Sequence, residues 1–165
     1  MPKIKIFLVL MIVICSHVFS WQSGWYHRMK LVFSNINISA PLTNYNLIVS
    51  ISNDTLYTTA LTNGYDIRFY DSDDTTRLLS ETELYTTNDN SFFWVNVPEY
   101  KADGSDFIYM YFGNSSANTN MSSSDASNMY NDKTVGVWHL SDNPVKDSTS
   151  NGNNALGYID TYKTN

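Results

Sequence analysis

Cysteine is all but missing from this 165-residue chain. The single thiol, Cys15, sits in an apolar stretch near the N-terminus, so no intrachain disulfide can form. A fold of this length must then be held by its core alone, which is feasible for one domain that buries about two-thirds of its unfolded surface. Charge is also scarce, at 16% of residues against roughly 25% in an ordinary soluble domain. Ala, Glu, Lys and Leu are too few for a helical bundle or a coiled coil. Positive charge is the scarcer sign, with 10 Lys and Arg against 16 Asp and Glu and a net charge of −6. That balance repels phosphate and excludes a nucleic-acid binder by charge. Disorder is excluded by the 42% apolar share. What the chain has instead is small polar side chains, 19 Asn, 20 Ser and 15 Thr, together with 12 Tyr and 4 Trp.

The N-terminus has the layout of a secretory signal. Lys3 and Lys5 precede an unbroken apolar run from Ile6 to Cys15, and Val18-Phe19-Ser20 offers a cleavage site before Trp21. A ten-residue apolar run rises about 15 Å as a helix, half the thickness of a hydrocarbon core. The expectation is a signal peptide over 1–20, no other membrane span, and a secreted or cell-surface product. Cleavage would leave 8 positive and 16 negative groups and no cysteine.

Beyond residue 20 the hydrophobic period is two. Met29, Leu31 and Phe33 alternate, as do Leu47, Val49 and Ile51, and Tyr65, Ile67 and Phe69. Phe92 to Val97 and Phe107 to Phe112 are apolar on both faces, as central strands of a two-layer protein are. Turn clusters rich in Asn, Asp, Ser and Gly separate these runs. The pattern predicts an all-β, antiparallel β-sandwich, jelly-roll-like, with short helices over 54–61 and 125–130, each opened by an Asp. The stretch 118–134 is expected to be an Asn/Ser-rich linker or loop, and Val135 to Leu140 one more strand.

Four motifs occur in order: Trp25-Tyr26-His27-Arg28; Gly64-Tyr65-Asp66-Ile67-Arg68-Phe69 followed by Asp71 and Asp73; Phe93-Trp94-Val95-Asn96-Val97-Pro98; and Ile108-Tyr109-Met110-Tyr111-Phe112-Gly113-Asn114. Over roughly Trp25 to Asn120 the chain resembles the family called domain of unknown function 2341. In the last motif Phe112 stands where that family usually has a second Tyr. Val137-Trp138-His139-Leu140 with Asp147 to Asn153 is similar to the first strand and loop of a concanavalin-A-like, laminin-G-like lectin domain. The resemblances imply a β-sandwich module over 21–117 and, over 135–165, the start of a second domain cut short. They also imply the company of exported sugar-binding proteins.

Several side chains are candidates for chemistry. Glu81 and Glu83 fall on one side of a strand, their Cβ atoms about 6.5–7 Å apart. Paired carboxylates serve glycosidases, but an exposed polar strand face accounts for the same letters. His17, His27 and His139 are the only histidines, and no Gly-x-Ser-x-Gly elbow accompanies them. Asp71 and Asp73 alternate like the start of a calcium loop, although they lack the glycine and terminal Glu of an EF-hand. Aspartates are also common in turns, where they bond nearby amides. Asp142 and Asp147 are a second such pair. For sugar stacking the candidates are Tyr109, Tyr111 and Trp25, flat rings with polar edges, and a cross-strand aromatic ladder is the alternative. Acceptor sequons begin at Asn37, Asn53, Asn114 and Asn120.

The reading that results is a non-catalytic exported recognition or structural module, with a glycan or a surface protein as partner and no cofactor beyond the calcium considered above. Its rivals are a fragment of a secreted glycoside hydrolase or other depolymerase, and a plain spacer in a surface or transport assembly.

Overall fold

The computed structural model describes residues 21–33, 38–101, 103–141 and 144–156. Seven strands form two antiparallel sheets: β1 (His27–Val32), β2 (Leu42–Ile51), β3 (Arg68–Tyr70), β4 (Arg77–Leu78), β5 (Ser80–Leu84), β6 (Ser91–Tyr100) and β7 (Phe107–Phe112). One sheet has the order β1-β7-β3-β4 and the other β2-β6-β5. Among the described residues two short helices accompany them, α1 (Asp54–Thr59) and α2 (Ser122–Met129). The all-β antiparallel sandwich expected from the period-two pattern is what forms.

The core lies between the sheets and follows the alternation. Ile108, Met110 and Phe112 of β7 point inward with Phe69 of β3, and Phe93, Val95 and Val97 of β6 meet them from the other layer. The Phe69 and Phe93 rings bridge the two sheets with centroids 5.5 Å apart. Leu56 of α1 joins the same core and is fully buried. The cap of α1 is Asn53, whose side-chain oxygen accepts from the Leu56 amide at 3.0 Å, while Asp54 is the first helical residue. The helix ends at Thr59, two residues short of the expected span.

Three expected elements differ. The run 65–70 is a strand only over Arg68–Tyr70, because Asp66 is drawn away from any ladder. Its Oδ1 accepts from the Leu61 amide at 2.9 Å, and its Oδ2 accepts from the Gly113 and Asn114 amides at 2.8 and 3.0 Å. A fully buried carboxylate thus ties the start of β3 to the end of β7. Helix α2 begins at Ser122, inside the expected linker. Asp125 does not cap it but forms a two-pronged pair with Arg77 of β4, at 2.6 and 3.0 Å. Residues 135–140 form no strand, only one bridge between Trp138 and Asp147. Asp147 closes that loop: its oxygens accept from the Val137, Thr149 and Asn153 amides and the Thr149 hydroxyl, each at 2.9 Å. Burial opposes its charge, but those donors hold the carboxyl at about 2. Asp142 lies outside the described residues.

No helix among the described residues is long and apolar enough to cross a membrane. The expected signal peptide, 1–20, lies outside them.

Candidate functional site

A cavity of about 440 Å³ opens between β5, α2 and the residues 139–141 and 145–149. Its chemistry comes from the Glu81-Thr82-Glu83 motif. Strand β5 pairs with β6 so that Glu81 lies opposite Trp94, and a register shift between Thr82 and Leu84 leaves Glu83 as the extra residue of a bulge. Bulges redirect side chains at the rim of a sheet. Here the bulge turns the two carboxylates toward one imidazole.

That imidazole is His139. Its Nδ1 is in close polar contact with Glu83 Oε2, and its Nε2 lies 3.0 Å from Glu81 Oε2, without the angle of a hydrogen bond. Glu81 is nearly buried. The Tyr130 hydroxyl donates to its Oε2 at 2.7 Å, and the Ser148 hydroxyl donates to its Oε1. Burial and the neighbouring Glu81 carboxylate raise the Tyr130 phenol well above its ordinary value, so Tyr130 remains a donor. Glu83 Oε2 also accepts from the Trp94 indole at 3.0 Å, while no described residue donates to Oε1. Around this core the cavity is walled by hydroxyls and amides, with Asn120, Ser122, Ser123 and Thr149 among them.

The expected stacking residues do come together, on the outer face of the other sheet. Trp25 and Tyr111 meet edge to face at 6.3 Å, and Tyr70 packs on Tyr111 at 5.2 Å. Tyr111 has no exposed surface. Its hydroxyl donates to Asp74 Oδ1 at 2.6 Å, and Arg28 pairs with the other oxygen of Asp74. The Arg28 guanidinium also lies 4.2 Å from the centre of the Tyr109 ring. The aromatic-ladder alternative therefore accounts for Tyr111: a fully covered ring cannot stack on a ligand.

The acidic turn is likewise occupied by its own chain. Asp71 Oδ1 accepts from the Ser72 amide, and Asp73 accepts from the Thr75 and Thr76 amides and the Thr76 hydroxyl. The Thr76 and Thr75 donors hold the Asp73 carboxyl at about 2. No group of three or more His, Cys, Asp or Glu among the described residues could hold a metal ion.

Of the sequons, Asn120 is exposed at the cavity wall, and Asn53 is occupied as the α1 cap. Asn114 is buried with its side chain beneath Gly24. Asn37 lies outside the described residues.

Sequence reasoning saw the glutamate pair but missed its partners. Tyr130, His139 and Ser148 lie 49 to 67 residues along the chain from Glu81. The one available signal was that His139 is among only three histidines.

Residues 63–142 match the family described as Domain of unknown function (DUF2341). The resemblance expected from the four motifs is borne out over that stretch, which takes in Asp66, Glu81, Glu83, Tyr130 and His139. No curated protein matches the chain, and no solved structure does.

Proposed function

We propose that this chain is an exported, non-catalytic recognition module that binds a hydroxyl-rich, glycan-type ligand in the Glu81–His139 cavity. One observation carries the reading: a cavity of about 440 Å³, within the range of small-molecule sites, walled by three carboxylates, an imidazole, the Lys146 side chain, an amide and hydroxyls, with Ala126, Leu140 and Val145 as its apolar part. Such a lining offers acceptors and donors side by side, as sugar hydroxyls require. The net charge of −6 and the three carboxylates of Glu81, Glu83 and Asp147 against the one lysine, Lys146, disfavour anionic ligands. Binding is favoured over turnover because both oxygens of Glu81 are already engaged, by Tyr130 and Ser148. A general acid must instead aim a proton at the substrate.

The test is a glycan-array screen of the wild type and Glu83→Gln, each with calcium and with chelator. Selective binding that the variant loses while melting cooperatively supports the reading. No binding by a cooperatively melting wild type would favour the spacer. Release of new reducing ends would favour the depolymerase.

A further inference from the structure

A second cavity, of about 210 Å³, adjoins the first, and Thr82, Asn120 and Ser122 stand in the walls of both. The two differ in charge. Three carboxylates line the Glu81 cavity, whereas no acid lines its neighbour, where Arg68 is the one charged residue. Alternation on β3 sends Phe69 into the core and Arg68 to the opposite face, yet Arg68 is only 9% exposed. A charge so covered is costly unless it is paired.

Among the chain's three arginines, Arg28 pairs with Asp74 and Arg77 with Asp125. Arg68 has no carboxylate in contact among the described residues and is held by the backbone instead. Its Nη1 donates to the Tyr65 and Ile67 carbonyls, each at 2.7 Å, and its Nη2 to the Thr119 carbonyl at 3.1 Å. A guanidinium has five N–H groups. The Nε–H and one N–H of Nη2 therefore remain, with no acceptor among the described residues. Burial, followed by the charge of Arg77, lowers the Arg68 value against the opposing pull of Asp125 and Asp66. Both acids are engaged elsewhere, Asp125 by Arg77 and Asp66 by three backbone amides. What results is a buried, fixed guanidinium with two donors left on adjacent nitrogens, in a cavity without acid. The two oxygens of a carboxylate match such a fork.

We infer that the two cavities are adjoining subsites for one acidic oligosaccharide. The Arg68 cavity takes the carboxylate of a terminal uronic-acid unit, and the Glu81 cavity takes the neutral units beside it. The inference rests on the glycan reading of the Glu81 cavity and adds an order to it. A chain with a charge on every unit is excluded, because its next carboxylate would fall among Glu81, Glu83 and Asp147. Tyr65, half-buried, is the one aromatic residue lining the Arg68 cavity and offers a flat face to the sugar ring.

The experiment is an array of neutral oligosaccharides, the same sugars ending in a uronate, the methyl esters of those uronates, and sulfated counterparts, probed with the full chain. The wild type should bind the uronates about tenfold more tightly than their methyl esters, as a charge-assisted fork does. Arg68→Gln should bring that ratio to about one. Because Arg68 also ties three carbonyls, Thr82→Glu is the second variant: it sits at an exposed position of the shared wall, should melt like the wild type, and sets a negative charge beside the fork. It should lower the ratio, whereas Thr82→Gln, of the same size, should not. A wild type that binds uronates and methyl esters alike overturns this inference and leaves the glycan reading standing. A ratio unchanged in Arg68→Gln and Thr82→Glu, or a preference for sulfated over uronate members, overturns it as well. No binding to any member removes the glycan reading and this inference with it.

Discussion

Two polar-aromatic clusters lie on opposite sheets of this sandwich, built from similar parts to different ends. In the first sheet Asp74 gathers Arg28 and Tyr111 while Trp21, Trp25 and Tyr70 close over the rings. Tyr111 has no surface left. In the second sheet Glu81 gathers Tyr130 and Ser148, and Glu83 gathers Trp94. Yet about 440 Å³ remains open beside them. An acidic residue among aromatics is thus no guide to a site. What separates the clusters is whether covering side chains fill the space the charged groups leave.

Substitutions should separate the two further. Tyr111→Ala removes a fully buried ring and leaves Asp74 without its hydroxyl donor. The expected loss is about 4 kcal/mol, visible as a fall in Tm on the order of 10 °C. A melt unchanged by Tyr111→Ala would erase the contrast. Glu81→Gln should cost about 2 kcal/mol in denaturant unfolding, because an amide NH₂ replaces an acceptor facing two donors. It should also remove part of what raises the Tyr130 phenol, so a tyrosine absorbance titration should show one group ionising earlier than in the wild type. Glu83→Gln should change stability by less than about 1 kcal/mol, since the Trp94 indole keeps an acceptor, yet remove ligand binding. The smallest effect belongs to Asp73. Its folded value, about 2, lies below the usual 3.8, so its contribution is present above pH 4 and disappears as the pH falls through that interval. Asp73→Asn should flatten the acid limb of the stability curve there, lowering stability slightly above pH 4 and leaving it nearly unchanged near pH 2.

How much of this was legible in the sequence follows the range of the forces involved. Alternation in Ile108-Tyr109-Met110-Tyr111-Phe112 announces a two-faced strand, because side chains on a pleat have period two. It does not say that a second layer of rings covers the outer tyrosines, since Trp21 and Trp25 arrive from about 90 residues away. Asp54 and Asp125 carry a local preference for caps. Asp54 lost that role to its neighbour Asn53, and Asp125 lost it to Arg77 across the fold. Val135 to Leu140 has strand composition, but only the single bridge to Asp147 pairs it. The glutamate pair was visible by spacing. The bulge that turns it and the histidine that joins it were not, because both depend on tertiary neighbours.

The position of β7 in its sheet governs the order in which the chain can acquire structure. It lies between β1 and β3, and its partner residues in β1 are 75 to 85 positions earlier, as in Val32 with Phe107 and His27 with Phe112. The carboxylate of Asp66 likewise waits for the amides of Gly113 and Asn114. A growing chain that has released residues 1–106 therefore holds three strands of that sheet with nothing to join β1 to the rest. Its apolar faces stay unburied until the last six residues of the sheet emerge. Closure by distant pairing is slow, and this open interval is when a holding chaperone has most to bind and when the chain is at greatest risk of aggregation.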